Sequence, residues 1–161
     1  MLDGPGARLT AWRDGLPSFA ADAVAASDLT QPHIYTQLRA APDQAAIARR
    51  RITSWTRAIG LPELMVQDIT LAGDEALSNA VEHAYRGADG MVILFAALTP
   101  MGTAARLIVS DRGHWQPPAA DPGFRGRGLA MMEQLSDEFR LIHTTSGTTV
   151  VLRWSLPAGR T

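Results

Sequence analysis

The chain has 161 residues, 46% of them hydrophobic and 19% charged, the balance of a single water-soluble domain with a real core. Its 15 basic and 16 acidic residues leave a formal charge of −1, which argues against a phosphate-backbone surface and hence against nucleic acid as partner. Cysteine is absent, so disulfides and thiolate metal sites are excluded, and no apolar run is long enough to cross a bilayer, making the cytoplasm the default location.

Residues 1–33 are rich in Ala, Gly, Pro and Asp and show no convincing core pattern, although ADAVAASD suits a short helix. They are expected to form an N-terminal extension or linker ahead of a domain spanning 34–158. IYTQLRA from Ile34 has the composition of a strand. Pro42-Asp43 then offers a helix start, with Ile47, Ile52, Trp55 and Ile59 as its apolar stripe and Gly60 as its stop. Pro62 opens a second helix through Met65, Ile69, Ala72, Ala76 and Ala80, ending near Gly87. MVILFAAL, the turn TPMG and AARLIVSD follow as a hairpin. A Pro/Gly-rich loop of roughly 15 residues leads into a third helix, LAMMEQLSDEF; loops that long inside a compact domain are usually functional lids or disordered. Leu129, Met132, Leu135 and Phe139 share a face of that helix, and a last hairpin turns at Ser146-Gly147. Helices on one face of a mixed, mostly antiparallel sheet make this an α+β fold, a two-layer sandwich.

Three stretches carry chemistry. In LAGDEALSNAVEHAY, Glu75, Asn79 and His83 recur at a spacing of four and so share one helix stripe. The same side carries Ala72, Ala76 and Ala80, which places a carboxylate and an amide close to the core. An amide oxygen is a hard ligand suited to Mg²⁺, and a carboxylate can take a proton from an attacking hydroxyl. The commoner use of such a stripe is a solvated helix face. Asp111-Arg112-Gly113 ends a strand: an ordinary Asp-x-Gly turn, or an acceptor-only carboxylate able to take the exocyclic amine of adenine beside a glycine that makes room for the ring. Arg125-Gly126-Arg127-Gly128-Leu129 opens the third helix, where free backbone N–H groups and two guanidinium forks suit phosphate. No Walker A sequence is present, and the glycines do not follow a strand as a dinucleotide fingerprint requires.

The order of these stretches, with GTTVVLRW after them, resembles the ATP-binding fold shared by gyrase-type ATPases and sensor histidine kinases. Within that superfamily LAGDEALSNAVEHAY, LIVSDRGHW, GRGLAMMEQLSDEF, GTTVVLRW and LRAAPDQAAIARRRITSW look most like the bacterial anti-sigma factor serine/threonine kinases, over roughly residues 36–155. The resemblance implies ATP and Mg²⁺ as cofactors, with Asn79 holding the metal and Glu75 as general base. It implies that Asp111 reads adenine with Gly113 making room, and that Thr148 backs up the base. Gly126, Gly128 and the adjoining Leu129 would wrap the phosphates, with Arg125 or Arg127 reaching the γ-phosphate. It further implies a sigma factor and an anti-sigma factor antagonist as partners, phosphorylation of a serine or threonine on the antagonist, and a possible homodimer. His83 would pack rather than react. Trp115 stands where many relatives have a second glycine, which puts the geometry of the lid WQPPAADPGF in question. Two other functions fit the same residues: a nucleotide-dependent protein-binding module without kinase activity, and a sensor histidine kinase catalytic domain. The latter is disfavoured because His33, after a proline, is a poor phospho-acceptor. The arginines of the first helix (Arg49, Arg50, Arg51, Arg57) read as a solvated face, or as a dock for an acidic partner.

Overall fold

The computed structural model of the chain describes residues 4–84, 90–113 and 125–157. In chain order the elements are α1 (Pro5–Asp14), α2 (Ser18–Ala25), β1 (Ile34–Arg39), α3 (Pro42–Ala58) and α4 (Glu63–Asn79), the last running into a π-helical turn (Ala80–Ala84). Then come β2 (Met91–Leu98), β3 (Ala104–Asp111), α5 (Arg125–Leu135), β4 (Glu138–Thr144) and β5 (Gly147–Ser155). The strands form one sheet in the order β1-β2-β3-β5-β4, and every neighbouring pair is antiparallel.

Period-two alternation divides the strand side chains between two faces. Val92, Leu94, Leu107, Val109, Val150 and Leu152 point to one face, where Ile52, Trp55, Ile69, Ala72, Ala76 and Met132 from α3, α4 and α5 complete the larger core. Phe95, Ala97, Ile108 and Val151 point to the other. There the N-terminal segment supplies Trp12, Ala20, Ala23 and Val24. The stretch expected to lack a core pattern thus folds as two helices that cover the back of the sheet. The apolar residues of α2 are mostly alanine, so the pattern is faint; Arg140 over the Phe19 ring at 4.6 Å adds a cation–π contact. The α+β sandwich stands, with this smaller second layer added.

Local sequence explains most boundaries. Pro42 occupies the first turn of α3 and Asp43 faces the positive end of its dipole. Gly60, at φ 78°, ends the helix. The Gly60 N–H donates to the Arg57 carbonyl at 3.0 Å and the Leu61 N–H to that of Thr56 at 3.1 Å, so two end carbonyls are satisfied. Ile47 departs from the predicted stripe and is 37% exposed. Phe139 also departs: α5 stops at Leu135, whose carbonyl accepts the Trp154 indole N–H at 2.6 Å. Phe139 packs on the same core from β4 instead.

Candidate nucleotide site

Register brings the strand-borne residues together first. Asp111, last in β3, lies opposite Thr148, second in β5, and both side chains leave on the face that α4 covers. The Asp111 carboxylate accepts the Gly113 N–H at 2.9 Å and the Thr148 N–H at 3.3 Å, both on Oδ1. The Asp-x-Gly turn is therefore real, and it leaves Oδ2 without a donor among the described residues. Gly147 makes this possible. It adopts φ 138°, and a Cβ there would stand 1.9 Å from the Asp111 carbonyl oxygen, so no other residue fits behind the strand end.

The α4 stripe faces the same place. Asn79 joins Ala76, Ala80, Val109, Asp111, Leu141, Thr148 and Val150 around one small pocket. Asn79 is also the last residue of α4 before the π-helical turn, a distortion that tends to mark functional positions. Thr148 is 6% exposed, and its hydroxyl has no hydrogen-bond partner among the described residues. An orphaned buried hydroxyl beside a half-buried carboxylate is costly unless a ligand satisfies it. The pair fits the edge of a base: an acceptor for an amine, and a hydroxyl that donates or accepts.

The other side of the candidate site is built where α5 meets α4. A Cβ on Gly128 would lie 3.0 Å from Glu75 Oε2 and 3.7 Å from Asn79 Oδ1, so the glycine lets the start of α5 come directly over both polar groups. Arg125, Gly126 and Arg127 lie in the first turn of the same helix, and Leu129 packs against the main core. The lid, with His114 and Trp115, falls in 114–124, outside the described residues, and the His83 side chain is likewise outside them. His33 is exposed just before β1, its Nδ1 2.9 Å from the Gln31 carbonyl oxygen.

Electrostatics follow from burial. Asp111 is pushed up to about 6 by desolvation, offset in part by the Gly113 and Thr148 N–H groups that favour the anion. Glu75 is also raised, first by burial and then by the carboxylates of Asp74 and Glu82. Among the described residues no cluster of three or more His, Asp or Glu side chains is arranged to hold a metal. Mg²⁺ bound with a nucleotide takes most of its oxygens from phosphates and water, so a single protein oxygen such as the Asn79 amide is compatible with it. Of the sequence-predicted residues, Asn79, Asp111 and Thr148 meet around the pocket, while Glu75 and Gly128 meet beside Asn79. Val109, Leu141 and Val150 were missed as pocket walls; as apolar strand residues they carry no signal beyond core.

Comparisons with known proteins agree with this fold. Residues 38–154 match the family described as the histidine kinase-like ATPase domain. The serine-protein kinase RsbW of Bacillus pumilus (strain SAFR-032) is 26% identical over 141 residues, 74% of this chain and 83% of that protein. A solved structure of the RsbU and RsbW domains of Rv1364c from Mycobacterium tuberculosis superposes with a TM-score of 0.64 at 33% identity, covering 80% of this chain and 34% of that one. This chain therefore spans about a third of that solved chain. The histidine kinase domain of the blue-light activated kinase of Erythrobacter litoralis EL346 shares the fold, with a TM-score of 0.53 at 22% identity over 81% of this chain and 64% of that one. No helix among the described residues is long and apolar enough to cross a membrane. With a candidate site on the face between α4, α5 and the ends of β3 and β5, and with this match across most of its length, the chain belongs to the histidine kinase-like ATPase family.

Proposed function

We propose that the domain at 34–158 binds Mg-ATP and phosphorylates a serine or threonine of an anti-sigma factor antagonist, while the same protein sequesters a sigma factor. The observation that carries the nucleotide part is the orphaned Thr148 hydroxyl beside Asp111 and Asn79. The Asp111 carboxylate accepts the adenine amine, Gly113 leaves room for the ring, and Thr148 meets the base from β5. Asn79 would hold the Mg²⁺, which when bound screens the phosphate charge. The first turn of α5, with Arg125, Gly126, Arg127, Gly128 and Leu129, takes the phosphates. Glu75 receives the proton of the attacking hydroxyl as its oxygen bonds to the γ-phosphorus and the bond to the ADP oxygen breaks. A carboxylate raised by burial is a better proton acceptor than a free one, which suits this role. The likeness to a serine-protein kinase supports the transfer, and the motif resemblance supports the two partners.

The test is phosphotransfer from labelled ATP to antagonist-type domains, using the wild type and Glu75→Gln. A positioned base is worth about 10²–10⁴-fold, so the variant should lose about that much rate while ATP affinity stays within a few-fold. Normal ATP binding with no transfer by the wild type would leave a nucleotide-gated protein trap. Loss of melting temperature and affinity together in the variant would make Glu75 structural.

A further inference from the structure

None of α1 or α2 belongs to the site just described, yet one side chain of α1 reaches the strand that ends in it. Trp12 donates its indole N–H to Ser110 Oγ at 2.7 Å. Both residues are 8% exposed. The two satisfy each other: a buried indole N–H has only a donor to offer, and Ser110 is a hydroxyl on a sheet face shared with Phe95, Ile108, Val151 and the cross-strand Thr149. The indole is fixed in turn by Tyr35 and Phe95, whose ring centroids each lie 5.6 Å away.

Ser110 directly precedes Asp111. It pairs with Thr149 as Asp111 pairs with Thr148, and the two side chains leave opposite faces of the strand. Whatever fixes Ser110 from behind fixes Asp111 in front. The surroundings sharpen the dependence, because cavities open on both sides of Trp12. One is bounded by Arg8, Tyr35 and Gln37, the other by Gly15, Leu16 and Gly147, and both reach Asp111 and Arg112. The end of β3 is thus backed by the indole between two open spaces.

We infer that Trp12 is a positioning residue for the carboxylate that reads the base, holding it through Ser110 where it tells adenine from guanine. The inference rests on the reading of Asp111 given above. Guanine presents a carbonyl where adenine presents its amine, so a displaced acceptor weakens ATP while the phosphate contacts shared with GTP remain.

The experiment is calorimetry of Mg-ATP and Mg-GTP on the full chain, with melting temperatures recorded alongside. The variants are Trp12→Phe, Ser110→Ala, the double variant, Asp111→Asn and Phe19→Ala. Trp12→Phe keeps a ring between Tyr35 and Phe95 but loses the donor; it should weaken ATP by about 3- to 10-fold with GTP nearly unchanged, part of the worth of one buried hydrogen bond. Ser110→Ala should do the same and the double variant little more, because both remove one interaction. Phe19→Ala loosens the same layer away from Ser110, and it should lower the melting temperature while keeping the preference for ATP. Should Trp12→Phe fail to fold, Ser110→Ala carries the same expectation. If Asp111→Asn keeps the wild-type preference, the base-reading assignment falls and this inference with it. If Asp111→Asn loses the preference but Trp12→Phe and Ser110→Ala keep it, the positioning role alone is overturned. An equal loss of preference in Phe19→Ala would also overturn it, leaving Trp12 as packing.

Discussion

A carboxylate that accepts a hydrogen bond from a ligand amine should be charged, yet burial at the end of β3 works against the charge. With Asp111 at about 6 rather than in the usual carboxylate range, the proton binds the folded protein more tightly than the unfolded chain. This group therefore stabilises the free protein below the unfolded value, and that contribution is lost as pH rises through about 6. Under the proposed reading nucleotide binding should have the opposite slope, since it needs the anion. Adenosine, which carries no titrating phosphate, should bind more weakly as pH falls from neutrality through about 6, and Asp111→Asn should abolish both slopes; a wild-type adenosine affinity that stays flat would remove Asp111 from the base. Gly128 separates site from scaffold in another way. Alanine in a helix is worth about 1 kcal/mol over glycine, so Gly128→Ala should hold or raise the melting temperature. Its Cβ would nevertheless press on Glu75 Oε2 at 3.0 Å, and phosphotransfer should fall even though stability does not. The polar residues of this site were legible in sequence because each breaks an apolar pattern. Thr148 was named only through the family resemblance, and nothing local marks its hydroxyl as orphaned, which follows from the β3–β5 register.

At the scale of elements, two glycines contrast. Gly147 pairs a left-handed φ with a Cβ position 1.9 Å from backbone that cannot yield, whereas Gly73 in α4 would meet the far end of the Ile52 side chain at 2.6 Å. Gly147→Ala should cost more than the roughly 1–3 kcal/mol of backbone strain alone, and should weaken adenine nucleotides by displacing Asp111. Gly73→Ala trades overpacking of about 1–3 kcal/mol against about 1 kcal/mol of helix propensity, so its melting temperature should drop less and its ATP affinity hold. Equal losses of affinity in the two variants would mean that the β4–β5 turn does not set the site. Helix α3 and the β2–β3 hairpin were legible because proline, glycine and periodicity agree on them. The end of α5 was not: Phe139 lies on the same apolar side whether Ser136 and Asp137 continue a helix or turn into a strand. Tertiary contacts decide it, the Trp154 indole taking the Leu135 carbonyl and the Ser155 N–H donating to Asp137 Oδ2 at 2.6 Å.

For the whole molecule, the sequence held a sign of the second helical layer that a one-faced sandwich cannot explain. A sheet wet on one face alternates apolar and polar residues, but MVILFAAL and the VVL of β5 are continuous apolar runs, the pattern of strands covered on both sides. The small residues of α2 hid the partner layer, since alanines bury well without looking like a core. The layer also enters the sheet's hydrogen bonding, as the Asp28 N–H donates to the Leu98 carbonyl at 2.8 Å just after α2. A chain beginning at Ser27 should therefore keep this bridge and the larger core under α3, α4 and α5, but expose Phe95, Ile108 and Val151 together. Each fully buried side chain of that size is worth about 1.5–3 kcal/mol. Their sum approaches the roughly 5–15 kcal/mol by which whole domains are stable, so the shortened chain should sit near the margin of folding. It should melt at least about 10 °C lower, bind an apolar dye and self-associate as concentration rises. Melting and sedimentation of both chains decide the matter. A shortened chain that melts like the full one and stays monomeric would show that the N-terminal helices rest on the sheet without holding it.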